Sequence, residues 1–268
     1  MNASELYKAG KLQEAVAAQT QEVKSHPADQ NKRLFLFELL AFAGNLDRAR
    51  KQLDVLKFDQ MELETAAQSY RKLLDAEEQR RKLFSQGLQP QFLADPPEHV
   101  RLRLEAVNRL REQNLAEAAA TLAQAATVTP VLHGELNGQR FDEFRDADDL
   151  FGPVLEVMAH GNYFWVPLEQ VELVAMKPPR FPRDLLWVPA RLETASSTGD
   201  VFLPALYPNS HEHADDTVKL GRQTDWRNGE SGPVLGVGLR VFLAGEADVS
   251  LLEWRELKIE PSISGMVS

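Results

Sequence analysis

The residues best suited to chemistry lie in one short stretch, His211-Glu212-His213 followed by Asp215 and Asp216. Two histidines at alternate positions of an extended segment share a side, and imidazole is a good zinc ligand. No further ligand follows at a spacing typical of a metal site. The same residues also fit an acidic loop that leads into a short capped helix, and we interpret the stretch as that loop.

Other catalytic signatures are absent from the sequence. Gly236-Val237-Gly238 is half of a phosphate-binding fingerprint, but it lies within a strand pattern. No nucleophile elbow, Walker loop or HExxH motif occurs, and Arg80-Arg81-Lys82 is typical of a solvated helix end. We therefore predict a protein that is not an enzyme and has no cofactor or metal. The alternative is an enzyme of unknown type with a site in the C-terminal region near His211 and His213.

The elements that would position these groups begin with a strongly apolar helix. Asp29 is a candidate N-cap, the run from Leu34 to Ala43 is apolar on nearly every side, and Gly44 supplies a left-handed stop. Such a helix is stable in water only when other elements or a partner cover it.

This helix belongs to a repeat. Gly10-x-Leu12-x-x-Ala15 recurs 34 residues later as Gly44-x-Leu46-x-x-Ala49, which is the tetratricopeptide period. A third copy, Asn114-Leu115-x-x-Ala118, has Gln113 in place of the glycine. Residues 62–84 form one long predicted helix between the second and third copies. The pattern predicts a degenerate tetratricopeptide-like array of three helical hairpins.

Past Pro130 the apolar pattern changes to that of short strands. Residues 131–150 are polar and acidic and are predicted to be a linker with at most one short helix. Hairpins are predicted from residues 154–158 with 163–166, 186–193 with 201–206, and 234–243 with 250–259. We expect an α+β protein, with a helical domain over 1–130 and a small, strongly bent antiparallel β-sheet or barrel-like domain over 151–268.

The charge changes at the same place. Residues 1–130 carry 18 basic and 18 acidic side chains and are therefore neutral overall. The rest of the chain carries 12 basic and 22 acidic side chains, which account for the entire net charge of −10. Neither part has the positive excess that nucleic-acid binding needs. No apolar run approaches the ~20 residues of a membrane span. Because the chain has no cysteine, we predict a cytoplasmic protein that does not insert into membranes.

Several stretches of the C-terminal region carry a specific resemblance. They are Leu150-Phe151-Gly152-Pro153-Val154-Leu155, Gly161-x-Tyr163-Phe164-Trp165-Val166-Pro167, Asp184-Leu185-Leu186-Trp187-x-Pro189-Ala190-Arg191, Asp200-Val201-Phe202-Leu203-Pro204 and Leu220-Gly221-Arg222-x-Thr224-Asp225-Trp226. Together they resemble the ImpE/TagJ accessory family of bacterial type VI secretion over nearly the whole chain. The resemblance implies an adaptor that binds a helix of the small sheath subunit. It also implies a link to sheath assembly or disassembly by the AAA+ unfoldase.

Two groups of residues are candidates for partner contact. The predicted partner-binding residues are Phe35, Glu38, Leu39 and Phe42 in the apolar helix, and Arg191, Arg222, Asp225 and Arg227 in the C-terminal region. The first group lines a groove unless the helix over 62–84 covers that face. The second group lies near tryptophans and either pairs internally or meets the partner.

Overall fold

The computed structural model describes residues 1–57, 60–228 and 232–261 of the chain. Its α-helices are α1 (Ala3–Lys8), α2 (Leu12–Ser25), α3 (Gln30–Phe42), α4 (Leu46–Asp54), α5 (Met61–Gln86), α6 (Glu98–Arg111), α7 (Leu115–Thr127) and α8 (Asp216–Lys219). Its strands are β1 (Gly134–Leu136), β2 (Gln139–Phe141), β3 (Phe144–Asp146), β4 (Val154–Ala159), β5 (Asn162–Pro167), β6 (Val171–Met176), β7 (Trp187–Thr194), β8 (Ser197–Pro204), β9 (Thr224–Asn228), β10 (Val234–Gly238), β11 (Val241–Ala244), β12 (Ala247–Ser250) and β13 (Glu256–Ile259). Helices precede antiparallel strands, which confirms the α+β class.

The helical hairpins α1–α2, α3–α4 and α6–α7 form where the repeat predicts them. Asp29 caps α3 by accepting a hydrogen bond from the Lys32 amide at 3.1 Å. Each hairpin turns through a left-handed residue, with φ of +79° at Gly10, +77° at Gly44 and +63° at Gln113. Glycine adopts this conformation without steric penalty, whereas a residue with a Cβ is strained there. The repeat therefore keeps its backbone geometry even where its glycine is missing.

Helix α5 is the predicted long helix, and it joins the hairpins to the strands. It has 26 residues and ends at Gly87, where φ is +76°. It packs on α4 and α6 and also on β4 and β5. Its Tyr70 ring lies 5.9 Å from the ring of Phe202 on β8. Within the described ranges, no helix is both long and apolar enough to cross a membrane.

The strands form one large sheet and two small ones. The large sheet has eight strands in the order β2-β1-β13-β6-β7-β8-β4-β5, and all its neighbours are antiparallel. The small sheets are β12-β11-β3 and β10-β9. The antiparallel architecture is as predicted, and the described sheets are open rather than closed into a barrel.

The acidic segment 131–150, predicted to be a linker, instead contributes three strands. β1 pairs with β2 and β13, and β3 pairs with β11. Phe141 and Phe144 are buried and stack with ring centroids 4.9 Å apart. Asp146 and Asp148 are also buried. The linker prediction failed because two of the acidic side chains that suggested solvent exposure, Asp146 and Asp148, are hydrogen-bonded inside the protein.

Strand pairing also differs near the C-terminus, where residues 234–243 were predicted to pair with 250–259. Only β11 and β12 make such a hairpin, across Gly245 and Glu246. β10 pairs with β9, and β13 inserts between β1 and β6. The β4–β5 and β7–β8 hairpins are confirmed.

One apolar core runs from the helical hairpins into the large sheet. Phe37 of α3 stacks on Trp187 of β7, with ring centroids 6.4 Å apart. Both side chains are fully buried. A second core lies on the other side of the sheet around Trp254. The division into folding units over 1–130 and 151–268, joined by 131–150, stays a prediction. Residues 262–268, the end of the second predicted unit, lie outside the described part of the chain.

The strained hairpin turn generates a stability prediction. Gln113→Gly removes the Cβ that opposes a positive φ, so we expect the free energy of unfolding to rise by about 1 kcal/mol. Urea denaturation measures the change. Gln113→Ala keeps the Cβ and should leave stability near the wild-type value; equal gains from both variants would contradict the strain explanation.

Candidate functional site

The predicted groove on α3 is filled by the chain itself. Leu39 and Phe42 are buried in the core, so neither is available to a partner in this structure. Phe35 is half-buried and meets the Tyr7 ring edge-on at 6.0 Å. Glu38 is buried and pairs with Arg183, which lies 145 residues away in sequence. The cover comes from two parts of the chain. Tyr7 of α1 meets Phe35 and Phe42. Trp187 and Arg183 of the C-terminal region meet Phe37 and Glu38, and sequence periodicity did not place them on this face.

Of the predicted C-terminal residues, Arg222 has an internal role. Its guanidinium donates to the carbonyls of Tyr7 and Lys8 at 2.5 and 2.9 Å. It also lies over the Tyr7 ring at 5.3 Å. Arg222 therefore holds α1 against the segment that follows α8.

Like Arg222, the other three C-terminal candidates are exposed. They do not form one cluster. Arg191 pairs with Glu193 at 3.0 Å on the face of β7. The Asp225 carboxylate on β9 accepts a hydrogen bond from the imidazole of His213. Arg227, two residues further along β9, borders a cleft of about 490 Å³. Their contribution to partner binding stays a prediction.

The two histidines of the metal-like stretch contact different groups. The Asp215 amide donates to Nδ1 of His213, so Nε2 carries the proton and donates to Asp225 at 3.2 Å. His211 packs its ring against Gly44. Burial, reinforced by Arg81, lowers the pKa of His211. In the part of the chain that the structure describes, no group of three or more His, Asp or Glu side chains is arranged to hold a metal ion.

The most highly charged buried site is centred on Glu156 of β4. Arg80 of α5 donates to its two oxygens at 2.7 and 2.8 Å, and to the Leu206 carbonyl at 2.7 Å. Arg240, between β10 and β11, donates to Oε2 of the same carboxylate, and Tyr163 donates to Oε1. All four charged or phenolic side chains are buried. Burial alone would raise the pKa of Glu156, but the two arginines and these hydrogen bonds lower it.

A second carboxylate extends the site toward β3. Arg240 donates to Asp146 at 2.8 Å, and the Tyr207 hydroxyl donates to the other oxygen of Asp146 at 2.7 Å. The Arg240 guanidinium lies 4.3 Å from the centroid of the Phe151 ring. Asp148 accepts from the backbone amides of Leu150 and Gly236 at 2.8 and 2.7 Å. Asp146 and Asp148 of the acidic segment are thus held in the interior by directed hydrogen bonds.

Sequence reasoning missed this site and was wrong about Arg80, which is buried rather than solvated at a helix end. Its helix continues for six residues and places it on the face toward the sheet. One signal was present in the sequence. Glu156 and Arg240 each interrupt an otherwise apolar strand pattern, and an isolated charge there indicates a buried partner.

An open cleft lies between α5 and the exposed face of β6, β7 and β8, and has a volume of about 720 Å³. Lys72 of α5, His160 of the β4–β5 turn, Lys177 after β6 and Arg191 of β7 border it. Asp200 is the one carboxylate among its described lining residues. The cleft is therefore cationic although the chain as a whole is acidic.

Comparisons with known proteins give consistent results. A family model described as ImpE protein matches residues 138–258. The type VI secretion system accessory component TagJ of Pseudomonas aeruginosa is 37% identical over 267 residues, which cover 98% of this chain and 92% of that protein. The crystal structure of protein VPA1032 from Vibrio parahaemolyticus has a TM-score of 0.89 and 23% sequence identity, and the match covers 97% of this chain and 98% of that one. The last match shows a shared fold.

The buried site generates a prediction about stability. Glu156→Gln keeps the side chain's size but leaves Arg80 and Arg240 buried without their shared negative charge, so we expect a loss of about 3–5 kcal/mol in unfolding free energy. Glu105→Gln removes a carboxylate from an exposed pair with Arg109, and this control should lose less than about 1 kcal/mol. Similar losses for the two variants, measured by urea denaturation, would contradict a central role for Glu156.

Asp148 generates a prediction about pH. Burial, reinforced by the charge of Asp146, raises the pKa of Asp148 to about 7 despite the amide hydrogen bonds. An unfolded aspartic acid titrates near pH 4, so between about pH 4 and 7 the folded state retains a proton that the unfolded state has lost. The stability of the folded state that depends on a protonated Asp148 is fully present below about pH 4. It is lost as the pH rises through about 7, because the buried side chain must then ionise.

Asp148→Asn has no such proton, so we expect its unfolding free energy to fall less than that of the wild type between pH 5 and pH 8. Asp142→Asn, at an exposed carboxylate of the same segment, is the control and should follow the wild-type profile. Urea denaturation across this pH range tests the difference. Parallel profiles for the wild type and Asp148→Asn would show that Asp148 is already ionised at pH 5.

Proposed function

The chain belongs to the ImpE/TagJ family, and on that basis we propose that it is a non-enzymatic accessory protein of bacterial type VI secretion. The observation that carries the proposal is its 37% sequence identity to the accessory component TagJ over nearly the full length of both chains. We propose further that it works in the cytoplasm. There it binds the small subunit of the contractile sheath and links it to assembly or disassembly by the AAA+ unfoldase.

Two features of the described residues support a binding role over catalysis. The charged side chains around Glu156 are enclosed and bonded to one another, which suits a structural tie between elements. The open surface, in contrast, has a wide cleft whose charged residues sit on four different elements. A wide surface with spread charges favours contact with a macromolecule over activation of one reacting atom.

Binding to the small sheath subunit can be tested directly. We expect the purified full-length chain to form a complex with that subunit at micromolar concentration, detected by isothermal titration calorimetry and co-elution in size-exclusion chromatography. An unrelated acidic protein of similar size is the control for non-specific ionic binding. If the sheath subunit gives no heat and elutes separately, the proposed partner is wrong.

The link to the unfoldase needs a separate measurement. We expect the chain to change how much AAA+ unfoldase sediments with assembled sheath, because an adaptor acts on an encounter between two other components. The comparison is sheath with unfoldase in the presence and absence of the chain. Equal amounts of sedimented unfoldase in the two samples would contradict the link while leaving binding to the small subunit unaffected.

A further inference from the structure

We propose that the cleft between α5 and strands β6–β8 is the docking site for an acidic, amphipathic segment of the partner. This inference rests on the proposed function, which supplies the small sheath subunit as that partner, and adds where and by what chemistry it binds. The strongest supporting features are an uncovered sheet face, an apolar floor and a cationic border.

The sheet face is open because α5 covers only one end of the large sheet. Residues directly opposite each other on neighbouring strands share a face. Pro189 lies opposite Phe202, and Arg191 lies opposite both Ala175 and Asp200. These residues point to the side away from the second core, whose side chains alternate with them. Pro189, Arg191 and Asp200 are exposed, and Ala175 and Phe202 are half-buried.

The floor of the cleft is apolar. Leu73 and Ala76 of α5 meet Met158 of β4 and Phe202 of β8 there. Phe202 is held in place by the Tyr70 ring on one side. Leu73, Ala76 and Met158 are already buried within the chain. The apolar area that a peptide could still bury comes from Ala175, Pro189 and Phe202 on the sheet face, and such burial contributes about 25 cal/mol per Å².

The border is positively charged. Lys72 and Lys177 have no ionic partner among the described residues. Arg191 is 51% exposed, although it pairs with Glu193 at 3.0 Å and with Asp200 at 3.9 Å. The turn that carries His160 is fixed by Gln79, which donates to the Gly161 carbonyl at 2.8 Å. Lys72, Lys177 and Arg191 come from separate elements and border one opening. With a net charge of −10, the chain as a whole would attract a basic partner, so this cleft is a local exception.

The arrangement favours a peptide with several carboxylates over a small anion. A small-anion site needs donors that converge on one point and are shielded from water. Here the cations are exposed and spread around an opening of about 720 Å³. Such spacing matches carboxylates on successive turns of an amphipathic helix or on alternate residues of an extended segment, with apolar side chains between them.

The test uses full-length protein and the small sheath subunit. We expect the double variant Lys72→Glu/Arg191→Glu to bind that subunit about tenfold more weakly than the wild type in calorimetry, with a wild-type melting temperature, because two attractive contacts become repulsive. Lys24→Glu/Lys51→Glu, which makes the same charge change at exposed positions on α2 and α4, should bind like the wild type.

A second readout uses the absence of cysteine in the chain. Pro189→Cys, labelled with an environment-sensitive fluorophore, should change its emission on addition of the small sheath subunit, whereas labelled Lys24→Cys should not. One contrary result is that the wild type binds the subunit while the charge reversal has no effect and the emission at position 189 does not change. That result would overturn the proposed docking site and leave the proposed function standing. No wild-type binding would overturn both. Binding of free citrate or phosphate at this cleft, without the subunit, would identify a small-anion site instead.

Discussion

The fold depends on one buried carboxylate held by two arginines. Glu156 of β4 accepts hydrogen bonds from Arg80 of α5 and from Arg240 between β10 and β11. Charges in the interior are stable only when paired and hydrogen-bonded, so this site specifies a single relative placement of the long helix and two parts of the β region. Asp146 extends the same constraint to β3 through Arg240. These hydrogen bonds connect the helical array to the sheets at one shared interface.

This interface determines where a partner is able to bind. With α5 fixed on β4 and β5, Trp187 stacks on Phe37 and Arg183 reaches Glu38, so the apolar face of α3 is covered within the chain. Repeat arrays usually present such a face to a ligand. Here the cleft beside β6–β8 is open instead. In our docking proposal its positive charge favours an acidic segment, whereas the net charge of the whole protein would favour a basic one.

Local features of the fold were predictable from sequence because their causes are local. The cap at Asp29, the left-handed turns at Gly10 and Gly44, and the β4–β5 turn at Gly161 each follow from a residue type at a fixed offset. The buried site was not predictable in this way. Glu156 lies 76 residues from Arg80 and 84 from Arg240, and sequence periodicity reports which side of an element is apolar, not which distant charge meets it. The same limit explains the acidic segment that was predicted to be a linker and the α3 groove that is covered. The family resemblance was recognisable because it depends on several specific stretches of sequence.

The most direct test of where the partner binds is amide hydrogen exchange on the full-length chain with and without the small sheath subunit. We expect slower exchange on binding in residues 69–76 of α5 and in β6, β7 and β8, with α3 unchanged because it is already covered. Slower exchange confined to α1–α4, with no change in the strands beside the cleft, would show that the partner displaces the C-terminal cover and binds the helical array instead.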